Sequence, residues 1–212
     1  SYVRNVFPGE PPQTYGDAVA KLIRREEIDY HGRRNVLVSH QFYTGNELPE
    51  TCDSETFSVG GIDNVDIGAV KDFDYVALGH LHGVQSVGMP HIRYCGTLLK
   101  YSVSESGQEK ALTLVTLSQK GAPPKVERLA LHPLRDVKKK RGNLAEILEA
   151  ANEEERDDYV SITLTDEVDP YKPKEQLEEV FDRILEVKAD NTRTRNKLRE
   201  MDEELVDRKS VV

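Results

Sequence analysis

The sequence holds six histidines, and three of them close apolar runs. Val36-Leu37-Val38-Ser39 leads into His40, and Tyr75-Val76-Ala77-Leu78-Gly79 leads into His80-Leu81-His82. A strand fixes the side chains at its end while leaving one side of the sheet open, so reactive groups gather there. Neutral imidazole is the commonest protein ligand for transition metals. His80 and His82 are two residues apart where the chain turns, so both rings can reach one centre. Gly79 ahead of them lets the backbone turn without a Cβ clash. A lone strand-end histidine, or H-x-H alone, is equally at home in a core or on a surface. Two apolar strands that each end in histidine, one of them in G-H-x-H, point to metal.

Several elements must position these residues. Asn35 to Ser39 is a short β-branched run, read as a buried strand ending at His40, and Tyr75 to Leu78 is a second apolar strand. Upstream, residues 1–14 are rich in Pro and Gly and read as loop. Thr14-Tyr15-Gly16-Asp17 resembles a capping box, and Ala18, Val19, Leu22 and Ile23 recur at helical spacing, predicting a helix over 15–28. Between the histidine strands, 43–57 reads as a polar loop, Ser58 to Ile62 as a short strand and Val65 to Val70 as a short helical segment. His91 to Gly96, Ala111 to Leu117 and Val126 to Leu131 follow as strands, the last two separated by a Gly-Ala-Pro-Pro turn.

Composition then changes. Pro133 to Arg141 reads as a basic connector carrying Lys138, Lys139, Lys140 and Arg141. Behind it, Asn143 caps a helix through Ala151, and Tyr159 to Leu164 alternates as a strand. Lys172 to about Arg183 is helical, with Leu177, Val180, Phe181 and Ile184 on one face, and Leu185, Val187 and Ala189 alternate as a further strand. The expected division is 1–133, 134–192 and a tail, 193–212.

Bulk properties narrow the function classes. The formal net charge is −9, so this is no basic nucleic-acid coat, and any DNA contact would have to come from local basic patches. Metal-dependent nucleases tolerate such a balance, because bound cations invert the local field. No apolar run approaches the roughly 20 residues of a membrane helix, and no secretory signal is visible. Cys52 and Cys95 lie far apart without a CxxC pattern, which reads as two free thiols in a reducing cytosol.

The segment from Tyr75 to His82 resembles the last metal motif of the calcineurin-like metallophosphoesterases, and Val36 to His40 their penultimate one. Within that superfamily the chain is most similar to the SbcD nuclease subunits. The resemblance is carried in order and spacing by Val36-Leu37-Val38-Ser39-His40-Gln41-Phe42, the Gly79-His80-Leu81-His82 segment and Ile92 through Glu105. It extends to about residue 197. It implies an α/β fold: the second half of a metallophosphoesterase β-sandwich flanked by helices, followed by a small α/β capping domain. It also implies two divalent metal ions, with manganese expected, His40 and His80 on one and His82 on the other. Such a pair activates a bridging water and clamps a phosphodiester for in-line attack. Tyr94, Tyr101 and Ser102 would support the sheet beneath the site, as groups that orient metal-bound imidazoles do. The implied setting is cytoplasmic DNA end and hairpin processing in recombination and repair with an SbcC-type ATPase, as a homodimer within a heterotetramer, without a membrane.

The chain also departs from the pattern. Family members supply further ligands from a D-x-H strand end, a G-D and a G-N-H-D/E segment. Asp29-Tyr30-His31 matches the first by letter only, Gly16-Asp17 belongs to a helix start, and Gly45-Asn46 continues into Glu-Leu-Pro. By itself the chain is therefore expected to be inactive, and no catalytic residue is assigned. Residues 207–212 depart from the family and match what a sequencing-adapter string encodes in frame, an expectation of truncation with an authentic divergent tail as the alternative. Lys138 to Arg141 suits either phosphate contact or a solvated linker, and Arg193 and Arg195 lie in a second basic stretch suited to phosphate. His31, His91 and His132 read as structural or surface residues. Two rival functions stand beside the nuclease: a metallophosphoesterase on small phosphoesters, and a noncatalytic DNA- or partner-binding module.

Overall fold

In a computed structural model, residues 2–55 and 64–209 are described, and the chain divides into two compact units, Ser1–His132 and Pro133–Val212. Both are mixed α/β, built from small sheets and short helices. The expected strand at Ser58 to Ile62 lies outside the described residues.

The first unit opens with a short helix, α1 (Tyr2–Val6), where sequence pattern suggested loop. Helix α2 (Tyr15–Arg25) starts as predicted: the Thr14 side chain accepts the Asp17 amide. Asp17 reaches back to the Gln13 amide at 3.1 Å, one residue earlier than a capping box would have it. The helix ends at Arg25, three residues short of the expected stop, because Glu26 is already extended. Val19 and Ile23, four apart and so on one helical face, pack on the core, as does Ile28 beyond the helix.

The sheet that positions the histidines has the order β1-β4-β6-β5, from β1 (Val36–His40), β4 (Tyr75–Gly79), β6 (Met89–Tyr94) and β5 (Gln85–Val87). β1, β4 and β6 run parallel and β5 returns antiparallel. β4 is the buried strand: Tyr75, Val76 and Leu78 all lie in the core. β1 differs from the buried strand predicted. It is the edge of this sheet among the described residues, and Val36 and Val38 are 48% and 79% exposed. A β-branched run reports strand conformation, whereas burial depends on what covers it.

Smaller pieces complete this unit. β2 (Phe42–Thr44) pairs in parallel with β3 (Asn64–Asp66); β2 falls in the stretch read as loop. The expected helical segment after Val65 is a single turn, Ile67–Ala69, capped by the Asp66 side chain. β7 (Ala111–Thr116) and β8 (Lys125–Ala130) form the predicted hairpin. Phe42, Tyr43, Val65, Val70, Phe73, Val76, Leu78, Leu81, Val87, Ile92 and Tyr94 make one core.

In the second unit the basic stretch is a strand rather than a connector. β9 (Val137–Gly142), β10 (Tyr159–Leu164) and β11 (Arg183–Ala189) form a parallel sheet in the order β11-β10-β9. Lys138 and Lys140 share one side of β9, as a period of two requires, and both meet the Glu155 carboxylate. Helix α3 (Leu144–Glu149) carries the full capping box of Asn143 with Glu146. α4 (Pro173–Glu178) stops five residues earlier than expected, and Leu177 and Phe181 plug the core beside α3. On β11, Ile184 and Val187 pack inward while Leu185 is 49% exposed. The register breaks after Val160–Ile184, so Leu185 is the extra residue and the expected Leu185/Val187/Ala189 face does not form. α5 (Thr192–Lys209) occupies the region expected as a tail.

Candidate metal centre

Parallel pairing of β1 and β4 sets His40 opposite Gly79. That register puts the His40 ring beside His80, with centroids 5.5 Å apart and planes at 81°. Gly79 is needed for this approach: a Cβ there would meet His40 Nδ1 at 2.7 Å. The sharp turn falls on His80, whose φ is 98°, and not on Gly79. Non-glycine residues rarely adopt positive φ, and such strain persists only where surrounding structure holds it. The Phe42 ring lies edge-on to His80 at 6.2 Å. Burial and then the neighbouring His40 hold the His80 imidazole below its ordinary 6.5, against a smaller opposing pull from Glu55. A ring kept neutral in this way is in the form that binds metal.

His82 sits in a different environment. Its Nδ1 lies 3.1 Å from Glu105 Oε1 and 2.9 Å from Ser54 Oγ. Its amide donates to the Glu55 carboxylate. Its carbonyl accepts from the Thr97 amide at 3.2 Å and from Lys110 Nζ at 3.1 Å. Gly96, at φ 74°, makes the Thr97 contact possible, since a Cβ there would meet the His82 carbonyl at 2.9 Å. Tyr101 flanks the ring at 5.6 Å. Among the described residues the His40, His80 and His82 donor atoms do not gather as one tight set. The group of potential ligand atoms that does lie within 4.8 Å is Cys52, Glu55 and His82. There the Cys52 thiol donates to Glu55 Oε1 at 3.2 Å. Burial, then the Glu55 hydrogen bond, pushes it up to about 11, so it stays a thiol at neutral pH.

Of the three residues expected to support the site, each has a distinct position. The buried Tyr94 hydroxyl accepts the Tyr43 amide at 2.7 Å and donates to the Gln41 carbonyl at 3.0 Å. It thereby fixes the chain just after His40. Tyr101 touches the His82 ring, and Ser102 Oγ donates to Glu105 Oε1 at 3.1 Å. Ser54, Glu55 and Lys110 were not singled out from sequence, and Glu105 was only the last letter of a matching segment. Nothing short of the tertiary contacts marks Ser54 and Glu55, since they lie in a stretch with no periodicity.

The basic residues are largely engaged. Lys138 pairs with Glu155 and Asp158, Lys140 with Glu155, Arg141 with Asp190, Arg193 with Asp169, and Arg195 with Glu167 and Asp190. Lys139 is exposed. Cys52 and Cys95 are both free. No helix among the described residues is long and apolar enough to cross a membrane.

Fold and site thus define a mixed α/β protein with a histidine cluster at adjacent parallel strand ends. The relatives are more particular. Residues 130–211 match the family SbcD_C, described as the Type 5 capsule protein repressor C-terminal domain. That span takes in residues 207–211, which sequence reading set outside the family pattern. Over 189 residues the chain is 29% identical to the SbcD subunit of the SbcCD nuclease from Staphylococcus epidermidis (strain ATCC 12228 / FDA PCI 1200), covering 87% of this chain and 49% of that protein. The chain spans about half the length of the curated relative it matches. Both matches make the chain similar to SbcD-type proteins, the family model over residues 130–211 and the nuclease subunit over 87% of the chain.

Proposed function

We propose that this chain supplies the histidine half of a two-metal phosphodiesterase centre in a DNA nuclease of the SbcD type. The observation that carries this is the joining of two strand ends. Register places His40 against His80, and the His82 ring is held through Nδ1, so that Nε2 has no hydrogen-bond partner among the described residues. His40 with His80, and His82 apart from them, offer imidazole nitrogens of the kind that bind divalent cations. A second-sphere carboxylate on the far nitrogen of an imidazole is the usual companion of metal ligation. His40 and His80 would hold one ion and His82 the other, with manganese the expected metal. When bound, such ions would supply activation of a water and neutralisation of the phosphate charge.

The chain's own residues orient and exclude. Tyr94 fixes the loop after His40, the Gly79 gap admits the His40 ring, and Phe42 closes the apolar side of His80. Glu105 is held by Lys110 and Glu55 by the His82 amide, and the further ligand segments that the resemblance implies have no counterpart in this chain. The 212 residues alone are therefore expected to be inactive. β1 is the edge of its sheet among the described residues and is exposed on one face, which suits further strands of a metallophosphoesterase sandwich, and the second unit would correspond to the family's capping domain. In the assembled protein the setting would be cytoplasmic DNA end and hairpin processing with an SbcC-type ATPase, as a homodimer within a heterotetramer. Lys139 is the candidate phosphate contact, together with Lys138, Lys140, Arg141, Arg193 and Arg195 if DNA displaces their carboxylate partners.

The test is manganese-dependent cleavage of duplex ends and hairpins by the full-length protein with its ATPase. His40→Ala and His82→Ala should each abolish it. Unchanged activity in both variants would sink the assignment, and hydrolysis of small phosphoesters without DNA cleavage would favour a different phosphoesterase.

A further inference from the structure

We infer that Glu105, anchored by Lys110, is a positioning residue that fixes the His82 ring in the tautomer whose Nε2 carries the free electron pair. The inference rests on the metal reading above and names the device that prepares one ligand. Glu105 and Lys110 form a buried ion pair, 2.7 Å apart, with side chains 0% and 4% exposed. Burying a pair of charges is costly, and such a pair is weak evidence for stability in itself. This one grips a single residue at two points. Glu105 Oε1 meets the His82 ring at Nδ1, 3.1 Å away, and Lys110 Nζ meets the His82 carbonyl, also at 3.1 Å.

The remaining contacts decide where the ring proton sits. Oε1 also accepts from Ser54 Oγ at 2.9 Å, Ser102 Oγ at 3.1 Å and the Tyr101 amide at 3.2 Å. Lys110 and the Thr97 hydroxyl occupy Oε2. Each of these partners of the carboxylate is a donor. Lys110 Nζ and the Tyr101 amide can only donate, and the buried 2.7 Å contact with Lys110 is an ion pair, so the carboxylate is held in its charged form. An ionised carboxylate only accepts. The hydrogen at the His82–Glu105 contact therefore belongs to Nδ1, and Nε2 is left as the nitrogen that faces a ligand. Tyr101, at 61° to the ring, restricts its rotation.

The test uses the full-length protein. Ring nitrogen NMR of the metal-free form should show His82 protonated at Nδ1. Glu105→Leu with Lys110→Met removes the acceptor without stranding a buried charge. That pair should erase the tautomer preference and weaken manganese at one of two sites by about 10–100-fold, leaving the other unchanged. Glu105→Gln with Lys110→Met, which restores an oxygen, should recover part of both. The inference is overturned if the Leu/Met protein keeps the Nδ1–H tautomer and wild-type affinity, or if both sites weaken equally. A wild-type protein that binds no manganese overturns the metal reading instead. The tautomer measurement, made without metal, tells the two failures apart.

Discussion

Each histidine is placed by a neighbour that is distant in the sequence. His40 owes its place to the missing side chain at Gly79. Gly79→Ala leaves the backbone tolerable, since Gly79 is not among the positive-φ residues, but pushes on the His40 ring. It should weaken manganese on the His40–His80 pair by about 10–100-fold, with an unchanged urea midpoint in chelator. Calorimetric affinity equal to wild type would remove Gly79 from the site. Sequence reading valued Gly79 for the turn; the structure moves the turn to His80 and gives the glycine to ring clearance. G-H-x-H was legible because it is local. The Glu55 and Glu105 contacts were not, because they join His82 to residues 27 and 23 positions away.

At the scale of elements, the second unit shows how one carboxylate organises a strand. Glu155 takes both Lys138 and Lys140 from the same side of β9, and those bonds hold it down to about 2 from an ordinary 4.5. A depressed carboxylate adds stability above its unfolded pKa and loses it as pH falls through the folded value. The stability gap between wild type and Glu155→Gln should therefore be full at pH 6 to 7 and shrink from about pH 4.5 toward 2. Urea unfolding across that range reads it; a gap independent of pH would mean that the ion pairs contribute nothing. Helix α3 depends on its start: Asn143→Ala removes the capping bond to the Glu146 amide. It should cost about 1 kcal/mol, measured in the same unfolding assay, and no loss would show the cap to be redundant. The α3 cap and β10 could be read from sequence because caps and alternation are short-range signals. β9 could not, since four consecutive cationic residues look solvated until Glu155, Asp158 and Asp190 are folded against them.

For the whole molecule, the expected behaviour is that of a divided catalyst. Chelation of the full-length protein should abolish nuclease activity, and manganese should restore it. The 212-residue chain alone should stay inactive in manganese under the same conditions. Cleavage by the chain alone would show that its own carboxylates complete the centre, while DNA binding that persists in chelator without any cleavage by the full-length protein would favour a noncatalytic binding module.

What the sequence determined by itself is the set of local patterns: the two histidine-ending strands, the β7–β8 hairpin, the Asn143 cap and the β10 alternation. Each of these is written within a few residues, through side-chain period or capping chemistry. Tertiary structure alone decided which strand is buried and which is an edge, that the lysine run is β9, and that Leu185 is a bulge. It also decided that His82 is held by a buried Glu105–Lys110 pair apart from the His40–His80 contact. Those outcomes depend on partners distant in the chain, and pairing register and burial are settled only when the partners meet.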